Sequence, residues 1–414
     1  MPQKSDSCNT PNLMHPDQAI IKLLDQVVRT NKTEVIQLPH ALGRVLAEDL
    51  ASNIDLPHFD NSSMDGYAFK ASDLATNKTL TLIGKSFAGH PFSGKYQANS
   101  CVRIMTGAPV PSCYDTVQMQ EKTQVDGDLI TFHGDVSLGQ NVRHQGAELK
   151  AGTQVLTKGT VIRAAEMGIL ATIGVNQIQV YHQLKVAFFS TGDELRPVGS
   201  ELAAGQIYDS NRYSIMGLLS RANVEWVDLG VIKDDPEQIR QAFRNAAAQA
   251  DLILTSGGVS VGEADFTKQI LDEEGKITFW KMAIKPGKPF AFGKIGKAIF
   301  CGLPGNPVSS MVTFYKLVWP ILCKMQGSTM PETLSLKATL TQDIKKFPGR
   351  VEYQRGILTQ SNDGELTVSA TGNQGSGMLT SMSLANCFVV LPQMQGDIKA
   401  GEVVNVEPFN HLLN

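Results

Sequence analysis

The sequence predicts a multidomain protein of mixed α+β and α/β class, and three observations carry that expectation. Between Leu184 and Gly327, short apolar runs alternate with amphipathic segments, which is the pattern of βαβ units and a parallel sheet covered on both faces. From about Leu80 to Val142, and again after Gly327, short β runs follow one another between turn residues, without helical periodicity. The chain has 414 residues, more than one core usually organises, so two to four domains are expected.

Residues 1–15 are polar with two prolines and read as a frayed tail. "PDQAIIKLLDQVVRT" places Ile20, Ile21, Leu23, Leu24, Val27 and Val28 at helical spacing, and a second helix is expected over "PHALGRVLAEDLAS". "NIDLPHFDNSSMDGYAF" has turn chemistry and is expected as an ordered loop. The β-rich stretch contains "TLTLIGKSF", "SCVRIMTGAPVP", "TVQMQEKTQV" and "DLITFHG", followed by a short helix in "GTVIRAAEMGILATIG". The α/β stretch then runs through the strands "LKVAFFS", "VEWVDLGVI" and "DLILTSGG". Its helices are "SNRYSIMGLLSRAN" with a hydroxyl or Asn cap, "DDPEQIRQAFRNAAAQA" with Asp235 as cap, "EADFTKQILDEEG" and "NPVSSMVTFYKLVWPILCKM". After Gly327, "LSLKATLTQDI", "VEYQRGILTQ", "ELTVSATG", "CFVVLPQ" and "EVVNVEPF" predict a small closed β-barrel.

Composition narrows the function. Hydrophobic residues make up 42% and charged residues 19%, ordinary for a soluble globular protein. A net charge of -3 supplies no global field for nucleic acid, so an anionic ligand must be held by local basic groups. The six cysteines form no C-x-x-C pair, which argues against a zinc site or disulfide framework and fits a reducing cytoplasm. The N-terminal residues lack an apolar signal core, and no apolar run is long enough for a bilayer, so a cytoplasmic protein without membrane or nucleic-acid partners is expected.

Open α/β sheets bind ligands at the C-terminal ends of their strands. There the sequence places "TSGGVSVGEADF", in which Gly257, Gly258 and Ser260 suit an anion while Glu263 and Asp265 repel one. The combination makes sense with a cation between them. A tight strand–helix turn, with Asp265 complementing the helix dipole, is the plain alternative. The loop matches neither a Walker A sequence nor G-x-G-x-x-G. Lys281, Lys285 and Lys288 fall within "WKMAIKPGKPFAFG", where two prolines stiffen a turn suited to phosphate or another oxyanion. In "CGLPGNPVSS", Pro304 and Pro307 bracket a helix entry, and Ser309 with the first helical amides suits an oxyanion; simple helix entry is the alternative. Glu194, Asp234 and Asp235 add carboxylates on neighbouring loops. An acidic rim beside a lysine-rich one points to Mg²⁺-assisted chemistry on a phosphorylated ligand. Asp65 and Thr106 lie outside the α/β stretch and by themselves read as solvated loop residues.

In chain order, "MDGYA", "RIMTGAPVP", "STGDEL", "TSGGVSVGEAD", "KPGKP" and "GLPGNPVS" closely resemble the MoeA family of molybdenum-insertion enzymes, relatives of the gephyrin C-terminal domain. The resemblance spans nearly everything after residue 15. It implies an elongated homodimer with a linker/dimerisation region at 16–50 and 147–181, a β-rich subdomain at 51–146, an α/β molybdopterin-binding domain at 182–326 and a C-terminal barrel at 327–414. It implies adenylyl-molybdopterin and molybdate as substrates, AMP as product, and a separate molybdopterin adenylyltransferase as supplier. The family's cleft lies between the α/β domain of one subunit and the β-rich domain of the other, which would bring Asp65 and Thr106 into the site. By the same resemblance Glu194 and Asp265 are Mg²⁺ ligands. Asp65, Thr106, Asp234, Lys281 and Lys285 are catalytic-site groups, and Ser260, Lys285, Lys288, Ser309 and Arg350 hold molybdate. Pro304 and Pro307 match the family's rigid turn, and Gly257 and Gly258 its glycine loop. Glu148 departs, standing where many relatives have Asp. Two other functions fit the same relatives: the adenylyltransferase step itself, and a gephyrin-like scaffold, which would need neither the acidic nor the lysine-rich rim.

Overall fold

The computed structural model describes residues 13–258, 266–330 and 332–413. The tail expected at residues 1–15 therefore lies mostly outside the described residues. At its end, Met14 bridges to Met282 of the α/β domain.

Helix α1 (Pro16–Asp25) begins with proline in its first turn and buries Ala19 and Leu23 against the α/β core. The helix expected over residues 39–52 does not form. Leu38–His40 makes one 3₁₀ turn, Gly43 follows at φ +76°, and Val45 and Leu46 bridge to Val161 and Val180. A glycine in the left-handed region ends the helical path, and the β-branched Val45 suits the extended one. Strand β1 (Thr33–Gln37) has its partner far along the chain.

The β-rich part contains β2 (Gly66–Phe69), β3 (Thr79–Ser86), β4 (Ser100–Ile104), β5 (Thr116–Met119), β6 (Thr123–Asp126) and β7 (Leu129–Phe132), in the spatial order β5-β2-β4-β3-β7-β6. Much of the expected loop before residue 70 is thus ordered by β2, a fully buried inner strand. Helix α2 (Ala164–Thr172) follows. Strand β8 (Gln177–Tyr181) then returns antiparallel to β1, closing a long excursion.

The α/β part comprises β9 (Lys185–Thr191), α3 (Ser210–Arg221), β10 (Glu225–Ile232), α4 (Pro236–Gln249), β11 (Leu252–Ser256), α5 (Phe266–Glu274), β12 (Gly275–Lys281), β13 (Ile284–Lys285), β14 (Pro289–Ile295), β15 (Ala298–Leu303), α6 (Pro307–Thr313) and α7 (Trp319–Gln326). Its sheet has the order β10-β9-β11-β15-β14-β12. The first four strands are parallel, and β14 and β12 extend the sheet antiparallel. Alternate residues of β9 feed opposite cores. Val186 and Phe188 pack with α1, α3, α6 and α7, whereas Ala187 and Phe189 pack with α4 and α5.

The last part is a closed five-stranded barrel of β16 (Leu336–Leu340), β17 (Val351–Gln360), β18 (Leu366–Ala370), β19 (Cys387–Leu391) and β20 (Val403–Pro408), in the order β17-β18-β16-β20-β19-β17. Strand β13 leaves the α/β sheet and pairs with the start of β17. Val351, Tyr353, Phe388 and Phe409 of the barrel belong to the same apolar cluster as α1 and α7, so the two domains share a core. No helix among the described residues is long and apolar enough to cross a membrane.

Candidate active site

The four parallel strands deliver the loops after β9, β10, β11 and β15 to one rim. In the first, Gly192 has φ +146°, and a Cβ there would lie 2.6 Å from Glu194 Oε2. Only glycine lets the Glu194 carboxylate fold over its own loop. In the second, the Asp234 N–H donates to Asp193 Oδ1 at 3.3 Å. Partial burial, then the Asp193 charge and more weakly that of Glu194, push the Asp234 carboxyl above its ordinary range. Three carboxylates therefore share one patch.

The third and fourth loops are joined by one side chain. Asn211 of α3 is buried, and its Nδ2 donates to Ser256 Oγ and to the Gly305 carbonyl, both at 2.6 Å. Gly257 has φ +90°, and a Cβ there would meet the Thr191 carbonyl at 2.7 Å, so the β9 and β11 loops touch backbone to backbone. The N-cap of α3 is Asp209, whose Oδ1 accepts from the Arg212 N–H at 3.1 Å. Its other oxygen, Asn211 Oδ1, Ser190 Oγ and Thr255 Oγ1 are buried without a hydrogen-bond partner among the described residues. Buried polar atoms normally find partners, so the three orphans on the α3 side of the sheet, at Asp209, Asn211 and Ser190, suit a polar occupant, whereas Thr255 lies on the opposite face.

The basic side lies where β13 meets the barrel. Lys285 pairs in register with Glu352, and its Nζ sits 3.1 Å from Glu352 Oε1; the glutamate is only 3% exposed. Gln354 Nε2 donates to the other Glu352 oxygen at 2.9 Å. Arg350 immediately precedes this strand and is half-buried. Lys346 is buried, and its amine donates to the carbonyls of Gln395 at 2.9 Å and of Phe347 and Gln393 at 3.3 Å each. Burial lowers the Lys346 pKa against the pull of Glu352, and the charges of Lys285 and Arg350 lower it further. Lys285 and Lys346 thus share one buried carboxylate, with the Arg350 charge close to Lys346.

Gly287, in the turn between Lys285 and Lys288, rests on α6. A Cβ there would approach Thr313 Oγ1 to 2.6 Å and the Ser309 carbonyl to 3.6 Å. Ser309 is buried in the first turn of α6, which follows the Pro304–Pro307 bend, and the Val308 N–H donates to the Ser376 carbonyl of a barrel loop at 3.0 Å. Lys288 is half-buried, and its carbonyl accepts from the Met282 N–H at 2.8 Å. Lys281, at the end of β12, is exposed and lines a separate cavity of about 570 Å³ with Met14, Lys22 and Trp280.

Asp65 and Thr106, far apart in sequence, meet because β2 and β4 are antiparallel neighbours. Both the N–H and Oγ1 of Thr106 donate to Asp65 Oδ1 at 2.8 Å. These bonds, backbone first, hold the Asp65 carboxyl below its ordinary range. Among the described residues no hydrogen bond or ion pair joins this pair to the α/β rim. Ser260 and Asp265 lie outside the described residues, as does Glu263.

Three family models cover the chain in succession: the MoeA N-terminal region (domain I and II) at residues 14–174, a probable molybdopterin binding domain at 187–324, and the MoeA C-terminal region (domain IV) at 337–409. Molybdopterin molybdenumtransferase of Haemophilus influenzae is 47% identical over 96% of this chain and 99% of its own length. The chain belongs to the molybdopterin molybdenumtransferase family. Gephyrin of Dictyostelium discoideum is 33% identical over 97% of this chain and 63% of its own. The crystal structure of a MoeA protein from Pyrococcus horikoshii superposes with a TM-score of 0.82 at 29% identity, over 96% of this chain and all of that one.

For a member of this transferase family, the acidic rim has the donor chemistry of a Mg²⁺ site: hard carboxylate oxygens, one of them already disfavoured as an anion. Among the described residues no three acidic, His or Cys groups converge to enclose an ion by themselves. The sequence reading missed Asn211, Lys346, Glu352 and Ser376. Glu352, Gln354 and Arg355 did carry a signal, since polar and charged residues interrupt the barrel strand yet are buried. Nothing local marked Asn211 or Ser376.

Proposed function

We propose that this enzyme inserts molybdenum from molybdate into adenylylated molybdopterin, releasing AMP. The observation that carries the reading is the division of the site. Carboxylates Asp193, Glu194 and Asp234 share the strand-end rim, while Lys285, Arg350 and Lys346 gather at the barrel junction. A substrate that presents a phosphoanhydride at one end and receives a tetrahedral oxyanion at the other matches both halves.

In this reading the Gly257–Gly258 loop, with Ser260, seats the substrate's phosphates, and the orphan atoms of Asp209, Asn211 and Ser190 face polar parts of the bound ligand. Lys285, Lys288, Arg350 and Ser309 hold molybdate beside the dithiolate. Glu194 and Asp265 would hold Mg²⁺, which supplies charge neutralisation at the phosphoanhydride. Water attacks a phosphorus of the anhydride, the P–O–P bond breaks and AMP leaves; the two thiolates then bond molybdenum while one molybdate oxygen departs with two protons as water, the metal staying at the same oxidation level. Positioning and charge stabilisation dominate such a transfer. Asp65 and Thr106 of a second copy complete the cleft in a two-fold dimer, which accounts for an exposed, pre-formed pair with no rim hydrogen bond or ion pair among the described residues of its own chain. A separate molybdopterin adenylyltransferase supplies the substrate, and the protein works in the cytoplasm.

Purified adenylyl-molybdopterin should release AMP only when molybdate is added, and Asp265→Asn should slow that release. Molybdate-independent or absent AMP release removes the reading; undiminished release by Asp265→Asn removes the metal's role.

A further inference from the structure

The oxyanion half of the site is built from two domains, and one buried ion pair spans their junction. After α6 the helix continues through Phe314–Val318 as a π-helical segment before α7. Such a segment inserts an extra residue per turn and turns a different side chain inward. Here that segment carries Lys316. Its side chain is 13% exposed, and Nζ is hydrogen-bonded to Glu407 of β20, itself 15% exposed. The ammonium also lies 4.6 Å from the centre of the Tyr353 ring on β17 and 6.0 Å from that of Phe388 on β19, with Tyr315 of its own segment at 5.2 Å. One α/β side chain thus engages three neighbouring barrel strands.

Both anchors lead directly to the oxyanion groups. Tyr353 adjoins Glu352, the partner of Lys285, and lies three residues after Arg350, which immediately precedes the strand. Thr313, three residues before Lys316, is the seat of Gly287 in the Lys285–Lys288 turn. A largely buried ion pair contributes little net stability relative to an apolar replacement of the same shape. Its value lies in geometry, since it fixes one arrangement of helix and barrel where greasy contacts alone permit sliding.

We propose that Lys316 and Glu407 are positioning residues that set the distance between the Lys285–Lys288 turn and Arg350, and thereby the affinity for the tetrahedral oxyanion. The inference rests on the reading that these basic groups seat molybdate. The test is the paired variant Lys316→Met with Glu407→Gln, which removes both charges and keeps both shapes. We expect KM for molybdate to rise about tenfold, with kcat at saturating molybdate, KM for adenylyl-molybdopterin and the melting temperature close to those of the parent. Lys316→Arg, which keeps the charge and the stacking, should retain the parental molybdate KM. If the paired variant does not accumulate as folded protein, Glu407→Gln alone carries the expectation for the molybdate KM, with a lowered melting temperature because Lys316 is then buried without its partner. Arg350→Gln is the control for the underlying reading. If it raises the molybdate KM while the paired variant does not, the positioning role is refuted and the oxyanion reading stands. If Arg350→Gln also leaves that KM unchanged, both fall. A paired variant that loses stability with unchanged molybdate KM marks a purely structural pair and likewise overturns the proposal.

Discussion

Gly287→Ala perturbs the oxyanion turn without touching any charge, and its cost follows from two numbers. The residue has φ +116°, a region that residues with a Cβ rarely adopt, which costs about 2 kcal/mol. The new methyl would also lie 2.6 Å from Thr313 Oγ1, inside any real carbon–oxygen contact, and relieving such overpacking costs roughly 1–3 kcal/mol. Together these exceed what a two-residue turn between Lys285 and Lys288 can absorb in place. The turn therefore shifts off α6 and carries the two lysines with it. The expected result is a molybdate KM raised about tenfold or more and an unfolding free energy lowered by about 3 kcal/mol, measured by urea titration alongside steady-state kinetics. A double-mutant cycle separates the terms. Thr313 Oγ1 is buried without a hydrogen-bond partner among the described residues, so Thr313→Ala removes the clashing atom and sacrifices no hydrogen bond to them. Combined with Gly287→Ala it should restore at least ~1 kcal/mol, leaving the dihedral cost behind. Parental stability and molybdate KM in Gly287→Ala would refute the reasoning, because neither the backbone conformation nor the contact would then be required.

Other perturbations probe the remaining parts of the site. Asn211→Leu removes the donor to both Ser256 and Gly305; the buried Ser256 hydroxyl is left unpaired while the exposed Gly305 carbonyl can turn to water, so the change should cost about 2 kcal/mol in urea unfolding; a loss below ~1 kcal/mol would mean the loops hold together without it. Lys285→Met strips the cation from the buried Glu352 carboxylate. Because Lys285 is 40% exposed, the expected loss is about 2 kcal/mol rather than the full buried-pair figure, together with weakened molybdate use. NMR titration should find Asp65 ionised below the ordinary 3.8, so its stabilising contribution is present above that value and disappears as pH falls through the folded pKa. Thr106→Val should move the titration only part of the way back, since the Thr106 N–H, the larger cause, remains; an unmoved Asp65 would contradict the hydroxyl's role. Mixing inactive Asp65→Asn and Asp265→Asn chains should recover about a quarter of the activity if each cleft is shared between two copies, and none if each chain holds its own complete site.

The α/β alternation and the five barrel strands were legible because they are written in local periodicity. Alternation in β9 and the Asp235-Pro236 start of α4 need only a few neighbours to read. The antiparallel extension was not legible. "WKMAIKPGKPFAFG" was read for its lysines, yet it contains the end of β12, all of β13 and most of β14, whose pairing depends on strands elsewhere. The failed helix after Pro39 shows the same limit: its apolar spacing was helical, but Gly43 and the bridges to Val161 and Val180 decided the outcome. At the cap of α3, Asp209 took the role expected of a neighbouring hydroxyl or Asn, freeing Asn211 to tie two loops together. Asp65 and Thr106 read as bland single residues because their contact exists only once β2 lies against β4.

The two halves of the site differ in what holds them, and this bears on how the enzyme would fail. The acidic rim is assembled within the α/β domain by strand ends, glycines and Asn211, so damage to the barrel should leave it intact. The basic half exists only where β13 crosses to β17 and the barrel loop at Ser376 meets α6. Loosening that junction should therefore weaken the hold on the small oxyanion before it weakens the hold on the nucleotide-bearing substrate. Among the described residues the exposed Asp65–Thr106 pair joins neither half in its own chain, and the proposed reading draws its neighbour from a second copy. Substrate affinity at the rim, oxyanion affinity at the junction and dependence on subunit association are then three separable quantities, each tied to a different set of contacts.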